Sequence, residues 1–534
     1  MSDARLTVLV ADDIARDGLA PLLDDPRFDV VVQPGLKGDA LADAIATADA
    51  VLVRSATKIT ADSLKRAERL RVIGRAGVGV DTIDLDAATA RGIAVLTAPS
   101  GNTIAAAELT LALLLALVRR VPAADRSMKA GEWDRKGFSG TELHGKVLGL
   151  VGAGRIGSTV AQRARAFDMR VMAYDPFLSA DQAQRLGVQL AELDELLREA
   201  DVISLHLPLT DATRGLIGAA RLAIMKPTAV LLNVARGGIA DETALVEALK
   251  AGRLAGAALD VFEKEPLPAD HPLRSLENVV LTPHLGASTA EAQHEVALEI
   301  ARAVRAALLE GDLSKAVNAP ALGGEELRRV RPMLSLAERL GRLGSVLLDA
   351  PLARVSVRQA GGTESTLSAV TASAMVGVLS SIVDRSGVNP VNALHLARQR
   401  GVEVHRVIED AHVDHAELLE LVLRDDRGRQ VRVAGALIAE GHPRILRIDE
   451  YRVDVRPKGT LVVLRNRDVP GVIGRVGTLL GTAAINIGEY HQARLSEGGD
   501  ALAAIGVDGP LPAHVLTALR ALPDVTDVRQ VGLD

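Results

Sequence analysis

The chain has 534 residues, a formal net charge of −6 and only 2% aromatic residues. At roughly 150 residues per domain that length suggests three or four domains, and an acidic balance with so few stacking side chains argues against a nucleic-acid partner. Cysteine is absent, which excludes disulfides, thiolate metal sites and cysteine nucleophiles and points to a reducing, cytoplasmic setting.

The N-terminus, MSDARLTVLVADD, has no basic start, and its apolar run stops at Ala11 before Asp12 and Asp13, so it reads as a buried strand and not as a signal peptide. From residue 6 to about 95, β-rich runs (LTVLVA, AVLVR, RVIGRAG, IAVLT) alternate with helical stretches such as SLKRAERL and LDAATARG. That alternation predicts a parallel sheet flanked by helices. The longest apolar stretch, residues 104–118, holds Glu108 and falls short of the ~20 residues of a membrane span. A buried helix is predicted there, with no membrane partner. Pro122 follows, and the polar residues 126–145 are expected to cross the surface.

A second series then begins, with strands at KVLGLVG, RVMAYD, ADVISLHL, AVLLNVA, AGAALDVF and NVVLTPH separated by helical segments. This is a doubly wound α/β pattern. A long helix over 290–309 and a linker over 311–324 close it. Residues 325–455 hold helices at 325–348 and 369–383, the segment NPVNALHLARQRG and several strands, without a chemical motif. The last 80 residues read βαββαβ, the ferredoxin-like split motif.

Gly152, Ala153, Gly154, Arg155, Ile156 and Gly157 follow a strand and open a helix, the setting a dinucleotide-binding glycine loop requires. Asp175 ends the next strand, where a carboxylate accepts from ribose hydroxyls and repels a 2′-phosphate, so NAD is favoured over NADP. Hydride transfer from a secondary alcohol also needs a proton acceptor and a cation for the substrate. Arg236, after the strand AVLLNVA and before two glycines, can clamp a carboxylate. His284, after NVVLTP, is a candidate acid and base, Glu265 a candidate partner for its imidazole, and Asp260 a candidate acceptor for the nicotinamide amide. Each has a plainer alternative: a helix-terminal Arg, a packing His, an exposed Glu before proline, a loop Asp. His405, Glu409, Asp410, His412, Asp414 and His415 align no third metal ligand at a regular spacing and read as charged surface, so no metal is expected.

IGRAGVGVDTID (73–84), the GAGRIG loop, LLNVARGGIADETAL (231–245) and the run from DVFEKEPLP to LTPHLGAST (260–289) resemble, in order, the signatures of D-isomer-specific 2-hydroxyacid dehydrogenases. The whole chain is similar to the long members of that family. The resemblance implies two Rossmann-like doubly wound domains, an α/β intervening domain and a C-terminal ferredoxin-like ACT domain. It divides the chain into a substrate-binding domain (1–98 and 284–316), an NAD-binding domain (99–283), an intervening domain with a possible allosteric substrate site (317–455) and an ACT regulatory domain (456–534). It implies catalytic roles for Arg236, Glu265 and His284, a ribose-binding role for Asp175, and substrate contacts at Asn102, Arg54, Arg75 and Arg135. The three arginines imply a phosphorylated substrate, with NAD-dependent oxidation of 3-phospho-D-glycerate to 3-phosphohydroxypyruvate at the head of phosphorylated serine synthesis. Another D-2-hydroxyacid dehydrogenase, such as a hydroxypyruvate or 2-oxoglutarate reductase, is the alternative, and a non-enzymatic NAD-sensing scaffold a further one. At the C-terminal end, Asn466, Asp468 and Asn486 fall where an L-serine effector is expected, although related members carry other side chains at the position of Asn466. A homo-oligomer, often a tetramer, is implied, with helix 104–118 as a candidate contact.

Overall fold

Four sheets succeed one another along the chain in the computed structural model, which describes residues 5–380, 382, 387–409, 418–438 and 441–534. The first holds β1 (Leu6–Val10), β2 (Phe28–Val32), β3 (Ala50–Val53), β4 (Val72–Arg75) and β5 (Ala94–Thr97), all parallel, in the order β2-β1-β3-β4-β5. Every residue of β3 and β5 is buried, as continuous apolar strands covered on both faces must be. One cover arrives from far along the chain: the helix Ala290–Glu310 lays Val296, Ile300, Val304 and Leu308 against Val8, Val10, Leu52 and Leu96. Gly74 of β4 makes room for it, since a Cβ there would lie 2.8 Å from Val304 and 3.1 Å from Ile300.

The second sheet holds β6 (Val147–Val151), β7 (Arg170–Tyr174), β8 (Gln189–Leu190), β9 (Val202–Leu205), β10 (Val230–Asn233), β11 (Gly256–Leu259) and β12 (Val279–Leu281), all parallel, in the order β12-β11-β10-β9-β6-β7-β8. The chain winds outward from β6 to β8, then returns to β9 on the other side of β6. Ligands of such sheets bind at that reversal, beyond the carboxyl ends of the strands.

One expectation needs correction. Of the run SLKRAERL only Ser63 and Leu64 are helical, closing the short helix Ala61–Leu64; beyond it Lys65 and Ala67 donate back three residues, to Asp62 and Leu64. Leu64, Ala67 and Leu70 are all buried, and a spacing of three suits tight turns as well as a helix. The helix Thr103–Val118 packs Leu111, Leu113, Leu114 and Leu117 into the core beside Val160 and Ala164, leaving Ile104 as its exposed large apolar residue. Most of its apolar surface is thus covered within the chain. Further exposed apolar residues lie beyond it, at Val121, Met128 and Trp133.

The third sheet is β13 (Leu352–Ala360), β14 (Glu403–Glu409), β15 (Leu418–Asp425), β16 (Gln430–Ile438), β17 (His442–Ile448) and β18 (Tyr451–Val455), ordered β14-β13-β15-β16-β17-β18. The helices Gly324–Val346 and Glu364–Leu379 contribute Leu336, Leu340, Val370 and Met375 to its core. The fourth, β19 (Thr460–Arg467), β20 (Ile487–Arg494), β21 (Asp500–Val507) and β22 (Val525–Gly532), is ordered β20-β21-β19-β22, as in a split βαββαβ unit. Among the described residues no helix is long and apolar enough to cross a membrane, and no group of His, Asp and Glu is arranged to hold a metal ion. His405 and Glu409 lie on β14; Asp410, His412, Asp414 and His415 fall outside the described residues.

Candidate active site

Strand β6 runs into the glycine loop, where the three glycines have different surroundings. At Gly152, with φ at 99°, a Cβ would lie 2.6 Å from the His206 carbonyl oxygen, and at Gly157 it would lie 2.3 Å from the Gly152 carbonyl oxygen. At Gly154 it would meet nothing within 4 Å. Gly154 is also the N-cap of the helix Arg155–Arg165, and no side chain caps that end. The first N–H groups and the positive end of the helix dipole therefore face open space over bare backbone. Asp175 accepts from the Ala153 and Phe177 N–H groups, both at 2.9 Å, which holds its carboxylate beside the loop. These residues fit a dinucleotide: pyrophosphate over Gly154, Arg155 and Ile156, and ribose hydroxyls at Asp175. His206, just past β9, was not singled out from sequence. Its Nε2 lies 2.9 Å from Ser204 Oγ and burial pushes its imidazole down to about 4, so it stands neutral beside the loop. Its place just past the strand next to β6 is the signal that could have marked it.

Arg54 follows β3, Arg75 ends β4 and Arg236 follows β10. The first two rise from the first sheet and the third from the second, yet they share one electrostatic field. Burial, with Arg236 and Arg54 close by, pushes the Arg75 guanidinium down to about 10, so it remains charged at neutral pH. Arg75 Nη1 donates to the Ala76 carbonyl at 2.6 Å, while its Nε is buried without a hydrogen-bond partner among the described residues. Asn102 Oδ1 and Thr103 Oγ1 are likewise buried and unpartnered. The turn ahead of Asn102 is clamped by Glu299, which accepts from the Ser100 and Gly101 N–H groups at 2.9 and 3.1 Å.

Asn233 shapes the Arg236 turn, accepting from the Ala235 N–H and donating to the Arg236 carbonyl. Arg236 Nη1 donates to the Ala235 carbonyl at 2.7 Å and its Nε lies 3.4 Å from Asp81, which belongs to the loop after β4. Gly79 of that loop admits the guanidinium: a Cβ there would lie 2.2 Å from Arg236 Nη2. Asp12, at the end of β1, fixes the Arg54 turn by accepting from the Arg54 and Thr57 N–H groups and the Thr57 hydroxyl. Sequence reasoning missed Asp12, Gly79 and Asp81, since nothing local ties them to an arginine elsewhere in the chain.

His284 follows β12 at the carboxyl edge of the second sheet. Its Nδ1 lies 2.8 Å from Glu265 Oε2, with half of the imidazole side chain exposed, and Glu265 Oε1 accepts from the Phe262 N–H at 3.0 Å. A carboxylate only accepts, so Nδ1 carries the proton and Nε2 of the neutral ring is left free as a base. His284 has φ at 57°, a left-handed conformation that costs a bulky residue of order 1–3 kcal/mol. Asp260 enforces it: its carbonyl accepts from the His284 N–H, and its buried carboxylate accepts from Thr282 Oγ1, the Leu285 N–H and the Gly286 N–H at 2.6 to 2.9 Å. Burial pushes that carboxyl group upward against these hydrogen bonds.

Asp260 thus has no exposed oxygen for a nicotinamide amide; its observed task is to hold the His284 loop. Arg135 is not gathered with the other arginines. It lies in an exposed segment and makes no hydrogen bond or ion pair among the described residues. The effector set Asn466, Asp468 and Asn486 does not converge within one chain either. Asn466 is buried and bonded to Gln492, Asp468 is paired with Arg494 at 3.0 Å, and Asn486 donates to Asp508. Asn466 stands opposite Ala501 while Ile487 stands opposite Val507, which puts Asn466 and Asn486 about 20 Å apart along β21.

Residues 111–286 match the model of the D-isomer specific 2-hydroxyacid dehydrogenase NAD-binding domain, and residues 329–449 that of the D-3-phosphoglycerate dehydrogenase intervening domain. The chain is 43% identical to D-3-phosphoglycerate dehydrogenase of Synechocystis over 98% of its own length and 94% of the relative's. It is 40% identical to the enzyme of that name from Methanocaldococcus jannaschii over 98% and 99%. Among solved structures, D-lactate dehydrogenase from Aquifex aeolicus, complexed with NAD and lactic acid, is 31% identical with a TM-score of 0.52, covering 58% of this chain and 98% of that one.

Proposed function

As the chain belongs to the D-3-phosphoglycerate dehydrogenases, we propose that Arg236, Glu265 and His284 carry out its reaction and that Arg54 and Arg75 hold the substrate phosphate. The reaction is NAD-dependent oxidation of 3-phospho-D-glycerate to 3-phosphohydroxypyruvate, the opening of phosphorylated serine synthesis. The observation that supports the assignment most is the meeting of three guanidiniums from two sheets, one of them on a turn packed against the loop that carries Glu265, the partner of His284. A simple 2-hydroxy acid offers one carboxylate, whereas a carboxylate with a phosphate calls for such a cluster.

Arg236 binds the C1 carboxylate and polarises the C2 oxygen. His284 Nε2 takes the hydroxyl proton, and Glu265 neutralises the imidazolium through Nδ1–H. NAD, held by Gly152, Gly154, Arg155, Ile156, Gly157 and Asp175, supplies the hydride acceptor. Asn102, with its buried oxygen unpartnered, is assigned to the substrate, and Asp260 to holding the His284 loop. Residues 1–98 with 284–316, 99–283, 317–455 and 456–534 are assigned as the substrate-binding, NAD-binding, intervening and ACT regulatory domains.

The proposal extends to a cytoplasmic homo-oligomer, a tetramer, with L-serine as effector of residues 456–534. Since Asp468 and Asn486 stand apart in one chain, that effector site requires two copies. NADH consumption with 3-phosphohydroxypyruvate, beside hydroxypyruvate, pyruvate and 2-oxoglutarate and with or without L-serine, tests the reading. Strong preference for the phosphorylated acid is expected; turnover of the unphosphorylated acids alone would refute the phosphate assignment.

A further inference from the structure

We propose that Glu242, backed by His271, is a positioning residue for the Glu265–His284 pair: it pins the loop that carries Glu265 and contributes to the field in which His284 holds its proton. The inference rests on the assignment of Glu265 and His284 given above.

Glu242 opens the helix Glu242–Lys250 and takes no part in the reaction as described. Its Oε1 accepts from the Glu263 N–H, and Glu263 Oε1 in turn accepts from the Glu242 N–H at 3.4 Å. One residue earlier, the Phe262 N–H ends on Glu265 at 3.0 Å. Two successive amides of one loop are thus tied to two carboxylates, one facing the cleft and one the interior. On the interior side His271 Nε2 stands 3.4 Å from Glu242 Oε2, while His271 Nδ1 accepts from the Leu273 N–H at 3.3 Å. The proton of His271 therefore sits on Nε2, toward Glu242.

Two His–Glu pairs share this loop. The side chains of the front pair are 50% and 37% exposed, those of the rear pair 20% and 11%, so the front pair meets substrate and the rear pair does not. The Arg236 turn leans on the same segment: a Cβ at Gly237 would lie 1.9 Å from the Phe262 carbonyl oxygen. A shift of the loop would move Glu265 and Arg236 together.

The charged groups around Glu242 are Glu263, Glu265 and His271 from the facing segment and Asp241 at the N-cap of its own helix. Burial, with Glu263 and Glu265 nearby, pushes the Glu242 carboxyl upward. Once ionised, it shares a field with Glu265, the carboxylate that meets His284 Nδ1.

Glu242→Ala, Glu242→Gln and, as control, His284→Asn are compared in the full-length enzyme by pH profiles of 3-phosphohydroxypyruvate reduction, NADH binding by fluorescence, and thermal melting. Glu242→Ala is expected to lower kcat about tenfold or more with NADH affinity unchanged, as a displaced catalytic pair would. Glu242→Gln keeps an acceptor for the Glu263 amide and is expected to recover most of kcat, with the alkaline limb, which reports loss of imidazolium, about half a pH unit lower. Should Glu242→Ala fail to fold, the limb of Glu242→Gln decides alone. A wild-type limb in Glu242→Gln, or wild-type kcat in Glu242→Ala, while His284→Asn is impaired, overturns the inference. Normal turnover by His284→Asn overturns the underlying assignment instead.

Discussion

Gly154→Ala separates cofactor binding from folding. The backbone at Gly154, φ −65° and ψ −160°, is open to any residue, and the added methyl meets nothing within 4 Å. Loss of glycine at an N-cap costs about 0.5–1 kcal/mol, so melting should change by a few degrees at most. The methyl does occupy the surface that the pyrophosphate must approach. Keeping the phosphates off even one backbone N–H forfeits a charge-assisted hydrogen bond of about 1.5–3 kcal/mol, which is roughly 10- to 100-fold in affinity. Gly157→Ala provides the contrast: its methyl would lie 2.3 Å from the Gly152 carbonyl oxygen, so backbone must move and overpacking costs about 1–3 kcal/mol in stability. NADH fluorescence titration beside thermal melting reads both quantities. Wild-type NADH affinity in Gly154→Ala, or a melting loss as large as that of Gly157→Ala, would refute the reading of the open glycine as the cofactor's floor.

His284→Asn should retain NADH binding and lose roughly 10²–10⁴-fold in turnover; a variant of normal rate would remove His284 from the mechanism. Gly79→Ala places a methyl 2.2 Å from Arg236 Nη2, the end of a flexible side chain, so melting should hold while kcat/KM falls up to about 10²-fold through the misplaced guanidinium. Unchanged kcat/KM would show that Arg236 needs no such saddle. Arg75→Ala should weaken the phosphorylated substrate far more than hydroxypyruvate; an equal loss on both counts against a phosphate role. His206, near 4 when folded against 6.5 ordinarily, is protonated first in the unfolded chain as pH falls. Its contribution, at most about 3 kcal/mol, is intact above pH 6.5 and lost toward pH 4. His206→Gln should flatten the acid-side fall in melting temperature, and a fall as steep as that of the parent would contradict it.

Features that depend on neighbours within some twenty residues were legible in the chain. Alternating apolar runs and helices specified both parallel sheets, and βαββαβ specified the last. A strand followed by GAGRIG, with an aspartate closing the next strand, located the cofactor loop, because turn, helix N-terminus and carboxylate are all local consequences of φ, helix geometry and strand length. Arg236, Glu265 and His284 could be nominated because each follows a strand of one parallel sheet and so emerges at one edge.

Which of these side chains meet was decided by the crossing of distant elements. Asp81 and Gly79 reach Arg236 across two sheets, and Glu242 reaches the loop of Glu265 from another helix; neither pairing leaves a periodic trace in the sequence. Arg135, though surrounded by the expected residues, stays on an exposed segment. Asn466 and Asn486 are 20 positions apart in the chain and become opposite ends of a sheet because β21 lies between their strands. Sequence spacing sets which edge a residue occupies; distance between edges follows from how the sheets pack, and that is a property of the whole buried core.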